Sequence, residues 1–151
     1  EDRGGGDVQQ GVRLLVRDLP GEELHREVAL KQILDQHVAI DMLVNNAGRS
    51  IRRSIALSQD RFHDFERTMQ LNYFGAIRLT MGLLPHMRER GFGHIVNVSS
   101  IGAQTNPPRF SAYVASKAAL DAWTRVVSSE VVGDGITFTT IHMPSRIACS
   151  F

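Results

Sequence analysis

Short β-branched runs separated by long helix-forming spans constrain this chain more than any other feature. Val12–Val16 is an apolar run followed by Asp18-Leu19-Pro20-Gly21, where Pro and Gly break regular structure. Glu22 to about His37 carries Leu24, Val28, Ile33 and Leu34 on a roughly helical spacing. Ile40–Val44 is a second strand, closed by Asn45-Asn46-Ala47-Gly48. Ile95–Val98 is a third, ending at Ser99-Ser100, and Ile136–Ile141 a fourth, closed by Pro144. A strand–helix–strand unit of this length calls for parallel pairing, because the helix carries the chain back to the end of the sheet where it started. The expected class is therefore α/β, in a single domain over residues 1–151, with no internal repeat and no linker.

The intervening spans complete the pattern. Ser58, with acidic Asp60 behind it, reads as the cap of a helix running to about Arg90. Asn72 falls in its middle, and Pro85 is expected to kink or interrupt it. Gly91 to His94 is a turn. A loop with Pro107 and Pro108 leads into a helix that starts near Ser111, runs to about Val132 and is stopped by Gly133-Asp134-Gly135.

Composition excludes several functions. With 17 basic and 16 acidic residues in 151, the net charge is +1, and nothing argues for nucleic acid. Six histidines are scattered without metal-ligand spacing, and no apolar run approaches the roughly 18 residues of a membrane span. Cys149 is the sole cysteine, which rules out an intrachain disulfide and fits a cytoplasmic, reducing location. Glu1 to Asp7 is not a signal peptide, and a chain opening on Glu1 reads as an excerpt of something longer. Gly4-Gly5-Gly6 could be compared with a phosphate-binding loop. Such a loop follows a strand and opens a helix, whereas these glycines precede the first strand, so they read as a flexible end.

The chemistry centres on Tyr113 and Lys117. Four residues apart on a helix, they share one face, with Cβ atoms about 5–6 Å apart. A cation fixed beside a phenol favours the phenolate, which unaided forms only near pH ~10. Such a phenol can donate and recover a proton near neutrality, as general acid catalysis requires. An exposed helix with an incidental Tyr and Lys is the bland alternative. The neighbours argue against it: Asn45 to Gly48 end one strand, Ser100 ends another, and Asn72 sits in the helix between them. In parallel α/β sheets, ligands bind beyond the carboxyl ends of strands. Ser99, one residue before Ser100, should point to the opposite face. For Asn72 the competing role is a buried amide that satisfies helix backbone.

This constellation resembles the short-chain dehydrogenase/reductase family, with Ser100 thirteen residues before Tyr113 and Asn72 twenty-eight before Ser100. The likeness covers about Val12 to Pro144. It implies a partial Rossmann-like, doubly wound parallel sheet lacking the first two strands and the last strand. It also implies reduction of a carbonyl by a nicotinamide cofactor. By that resemblance, Tyr113 is the general acid for the carbonyl oxygen and Ser100 donates a hydrogen bond to the same oxygen. Lys117 tunes Tyr113 and holds the nicotinamide ribose, and Asn72 breaks its helix and positions a relay water. Asn45, Asn46, Ala47 and Gly48 run under the adenosine side, with Asn46 the direct contact, Asp18 and Leu19 contact adenine, and Pro144 and Ile147 meet the nicotinamide amide.

A narrower likeness, carried by Asn46–Ser54, Asp60–Gly75 and Arg109–Tyr113, is to bacterial fatty acyl-CoA reductases of this family. It implies a long-chain acyl thioester as substrate and NADP(H) rather than NAD(H) as cofactor. Arg52 and Arg53, with Arg49, could then pair with coenzyme A phosphates, or simply form a solvated basic loop. A 3-oxoacyl thioester is the alternative substrate. The family also implies homo-oligomers built on the helices near 60–90 and 111–132, so a non-catalytic interaction partner is a further alternative.

The chain departs from the family at both ends. The Thr-Gly-x-x-x-Gly-x-Gly cofactor fingerprint is missing with the first two strands, and Ser145–Phe151 is unlike the family. Two consequences are expected. Val12–Val16 and Ile40–Val44 lose their neighbours and become apolar edges. Residues 1–151 by themselves bind cofactor weakly or not at all, because a pyrophosphate lacks its helix N-terminus.

Overall fold

The computed structural model describes residues 12–16, 23–37 and 39–144. Four parallel strands form one sheet in the order β1 (Val12–Val16), β2 (Ile40–Asn45), β3 (Gly93–Ser100) and β4 (Ile136–Met143). Between them run α1 (Glu23–Gln36), α2 (Phe62–Met69), α3 (Gly75–Arg90), the short α4 (Gly102–Thr105) and α5 (Ser111–Val131). The architecture is the partial Rossmann-like α/β fold expected from the sequence.

One expectation about the sheet is corrected. β1 and β2 do not face solvent across a gap: Arg13 to Val16 pair in parallel with Met42 to Asn45. Exposed strand edges leave backbone donors and acceptors without partners. A neighbouring parallel strand satisfies them, and that gain brings β1 directly against β2.

Each crossover steps one strand in the same direction, so right-handed connections place the helices on one face. The contacts agree: α1 lies on α3, α3 on β2 and β3, and α5 on β3 and β4. The core is built there from Ile40, Leu43, Leu79, Leu83, Met87, Ile95, Val131 and Ile136. Fully burying each side chain is worth about 1.5–3 kcal/mol. Gly82 of α3 allows Leu30 of α1 to press against the helix where a Cβ would stand. The opposite face carries Met42, Val44, His94, Val96, Val98, Thr139 and Ile141, which are half-buried or exposed.

Three local readings change. The helix expected from Ser58 begins at Phe62; the Ser58 hydroxyl instead donates to Ser54 O (2.9 Å), closing a 3-10 turn over Ile55–Leu57. The first-turn carboxylate is thus Asp64, not Asp60. Pro85 sits inside α3 without ending it. The carbonyl it fails to satisfy belongs to Met81, which is 60% exposed, so water can serve it. Finally, Gln70–Phe74 forms a π-helical turn between α2 and α3, and Asn72 is at its centre. Such turns recur at functional sites because they rotate side chains out of the regular helical register.

Candidate active site

The carboxyl ends of β2 and β3 and the first two turns of α5 meet at two adjoining cavities. The larger, about 240 Å³, is lined by Ser50, Ser100, Gly102, Pro107, Phe110, Tyr113, Met143 and Pro144. The smaller, about 210 Å³, is lined by Asn46, Gly48, Ser50, Val98, Ser99, Tyr113, Lys117 and Met143. Tyr113 belongs to both, with Ser100 on one side and Lys117 on the other.

Strand alternation decides between the two serines. Ser99 follows Ile95 and Asn97 on the helix-packed face, is 2% exposed, and its hydroxyl has no protein partner. Ser100 takes the other face, where its Oγ accepts the Gly102 N–H at 3.1 Å. That contact occupies a lone pair and leaves the hydroxyl proton free to donate into the cavity.

Lys117 is buried, and its ammonium donates to Val98 O at 2.7 Å. Burial pushes its proton affinity below the ordinary lysine range, opposed by the charge of Asp121 one turn on. Gly48 lies against it: a Cβ there would sit 3.5 Å from Lys117 Nζ and 3.6 Å from Asn72 Oδ1. The missing side chain therefore leaves the ammonium open toward the smaller cavity.

Asn72 is 1% exposed, and its amide is hydrogen-bonded at both ends, with one Oδ1 lone pair to spare. Its Oδ1 accepts Arg49 N–H (2.7 Å), and its Nδ2 donates to Arg49 O and to Ser116 Oγ, both at 2.9 Å. Ser116 in turn donates to Tyr113 O at 2.7 Å. The amide thus ties the loop after β2 to the first turns of α5. Asn46 is exposed at the mouth of the smaller cavity, Ala47 is half-buried, and Pro144 is exposed beside the larger cavity. Asp18, Leu19 and Ile147 lie outside the described residues.

The two arginines part ways. Arg52 is exposed. Arg53 forms a salt bridge with buried Asp64, which Arg61 also reaches at 3.0 Å, and its backbone N–H donates to Arg109 O (2.7 Å). The Arg53 hydrogen bond lowers the Asp64 carboxyl below the usual range; burial opposes this and Arg61 adds to it. Arg53 is therefore committed to holding its own loop.

Sequence reasoning missed several groups. Ser116, Asp121 and Thr124 continue the polar stripe begun by Tyr113 and Lys117, and all three are buried. Polar residues at helical spacing in an otherwise helix-forming span were the available signal. Asn97 gave none: it accepts from Asn45 Nδ2 (2.8 Å) and donates to Thr124 (2.8 Å), bracing β2, β3 and α5 from within. Asn45, read as part of the cofactor-facing strand end, turns inward to that network and to Thr80.

The residues fit the nicotinamide end of a dinucleotide: an open, buried cation, a glycine that leaves room beside it, and a phenol shared with a second cavity. A Gly-rich strand-to-helix turn for pyrophosphate is not found among the described residues. They also contain no group of three potential metal ligands, and no helix long and apolar enough to cross a membrane.

Comparison with known proteins points the same way. The short chain dehydrogenase family profile matches residues 9–147. A fatty acyl-CoA reductase of Acinetobacter baylyi is 60% identical over 120 residues, covering 77% of this chain and 41% of the relative. Xylitol dehydrogenase, solved with NAD+, superposes with a TM-score of 0.75 at 25% identity, covering 82% of this chain and 47% of that one. A gluconate 5-dehydrogenase of Burkholderia cenocepacia, solved with NADP and tartrate, gives 0.75 at 27% identity, covering 82% and 48%. The chain spans 34% to 41% of the length of the curated relatives at about 60% identity.

Proposed function

Because the chain belongs to the short-chain dehydrogenase family, we propose that it carries the catalytic centre of a nicotinamide-dependent reductase acting on the thioester carbonyl of a long-chain acyl-CoA, with NADPH preferred to NADH. One observation carries the reading: Tyr113 lines both cavities, flanked by Ser100 in one and Lys117 in the other. The substrate carbonyl enters the larger cavity and the nicotinamide end of the cofactor the smaller.

When bound, the cofactor supplies the hydride. Hydride arriving at carbon leaves charge on oxygen, and donors aimed at that oxygen stabilise the transition state more than the ground state. Ser100 donates its free hydroxyl proton as a hydrogen bond and orients the carbonyl. Tyr113 gives its proton to the same oxygen. Lys117 favours the resulting phenolate and holds the ribose, and Asn72 positions the water that returns the proton. Asn46, Ala47, Gly48 and Pro144 line the cofactor's path, with Asp18, Leu19 and Ile147 as proposed contacts. Homo-oligomerisation through the outer faces of α2, α3 and α5 and a cytoplasmic location complete the proposal; Phe62, Met81 and Val126 are exposed on those helices.

These residues grip one end of the cofactor, so its affinity for residues 1–151 is expected to be low, and the assay runs with NADPH in large excess. Oxidation of NADPH with palmitoyl-CoA should fall by about 10²-fold or more in Tyr113→Phe. Equal rates in wild type and variant would remove the assignment. Tight NADPH binding or robust turnover by residues 1–151 would overturn the expectation of weak affinity.

A further inference from the structure

One buried ionisable group has no part in the chemistry above. Asp121 stands one turn beyond Lys117 on α5 and is 7% exposed. Its Oδ2 is 2.9 Å from His142 Nε2 on β4, whereas its Oδ1 is buried without a protein partner. A buried carboxylate with an unmet oxygen is costly to keep, because desolvation of the charge is only partly offset. The fold nevertheless retains it beside a buried ammonium that donates its hydrogen bond to Val98 O rather than to the carboxylate.

We propose that Asp121 is the positioning residue of the site: clamped from β4 by His142, it sets its carboxylate one turn along α5 from Lys117 and acts on that ammonium through its field. His142 is on the helix-facing side of β4, opposite Ser99 in register, and 29% exposed at its side chain. With Nε2 protonated it donates to Asp121 and keeps the carboxylate from swinging toward water. The carboxylate field then acts on Lys117 through a dry interior, where a charge is felt more strongly than at the surface.

Among the described residues, the other groups packed here are neutral or already paired. The helix-facing residues of β3 are Ile95, Asn97 and Ser99, none ionisable. The buried carboxylate of α2, Asp64, is engaged by Arg53 and Arg61. The π turn offers Asn72, and α5 itself offers Tyr113. Asp121 is the charge that opposes the burial of Lys117.

The inference rests on the role given to Lys117, but its test needs no cofactor. Lys31 and Lys117 are the two lysines of the chain, so protein labelled with ¹³C at lysine Cε gives two signals. Lys31, exposed on α1, is the internal reference. In Asp121→Asn the Lys117 titration midpoint should move to lower pH, and in His142→Phe it should move the same way by less. The second variant also covers the case in which the first does not fold. A Lys117 midpoint unchanged in the folded variants would overturn the proposal. Coupling seen here together with full reductase activity in Tyr113→Phe would sink the catalytic reading and leave this one standing.

Discussion

The polar face of α5 and the basic loop after β2 border the same cavities, yet they are held in opposite ways. Along α5, Ser116, Lys117, Asp121 and Thr124 are all buried, and each has a fixed hydrogen-bond partner. In the loop, Arg49 and Arg52 are exposed, and Arg53 is engaged by Asp64. Proton and hydride transfer demand placement to a fraction of an ångström, which burial and hydrogen bonds supply. Recognition of a long, flexible, charged substrate, as proposed above, does not, because exposed charges can act through their field. Asn72 joins the two regions, since it grips Arg49 backbone on one side and Ser116 on the other.

That joint is where the contrast breaks most easily. Asn72→Ala strips the partly buried Arg49 amide and carbonyl of their side-chain partner and removes the donor that Ser116 Oγ accepts, although Ser116 still donates to Tyr113 O. At about 1–3 kcal/mol for a group so stranded, a loss near 3 kcal/mol is expected in urea denaturation. A loss below about 1 kcal/mol would mean that the loop and α5 are joined by other contacts.

Lys117 gives the next effect, and its sign follows from linkage. Its proton affinity is depressed in the folded state, so between that lowered value and the unfolded 10.5 the unfolded chain binds more protons. Stability should therefore rise with pH through that window, and below it the burial penalty is constant. Lys117→Met removes the titrating group, so the wild type should gain on the variant as pH climbs toward 10.5. Parallel curves would show that the ammonium is better solvated than its burial implies.

Asp64 has the opposite sign and acts in acid. Its carboxyl is held below 3.8 by Arg53 and Arg61, so its contribution is present above 3.8 and lost as pH falls through the lowered folded value. Asp64→Asn should show a shallower loss of stability than the wild type as pH falls below 3.8. The same steepness in both would mean that the Arg53 pair adds nothing in solution.

These groups differ in how visible they were before the structure. Tyr113 and Lys117 stood out by their helical spacing, whereas Ser100 and Asn72 were singled out by their distance from Tyr113 in a pattern that resembles the family. The strands themselves were legible from their apolar and β-branched runs, β1 in full and the other three short by one or two residues at an end. Register across the sheet and between layers has no such trace. The His142–Asp121 pair joins residues 21 apart through the alignment of β4 with α5. The Arg53–Asp64 pair depends on a helix that starts at Phe62 rather than at Ser58. The direct pairing of β1 with β2 agrees with the strand–helix–strand pattern, and it was the family likeness that argued for a gap between them. The π turn was hidden too, because a single extra residue per turn leaves the composition of a helix unchanged.

The smallest effect concerns the basic loop, and it separates Arg52 from Arg53. Reversing both charges would confuse two events, because Arg53→Glu sets a carboxylate against buried Asp64. Arg52→Glu alone touches an exposed side chain, so stability should change by less than about 0.5 kcal/mol. If Arg52 attracts coenzyme A phosphates, the variant should bind acyl-CoA several-fold more weakly, leave NADPH affinity unchanged, and differ less from wild type as salt is raised, because exposed charges are screened within about 10 Å at 0.1 M. Unchanged acyl-CoA affinity at low salt would reduce the loop to a solvated surface and move phosphate recognition elsewhere. A weakened affinity that ignores salt would point to a direct, buried contact and erase the contrast with α5.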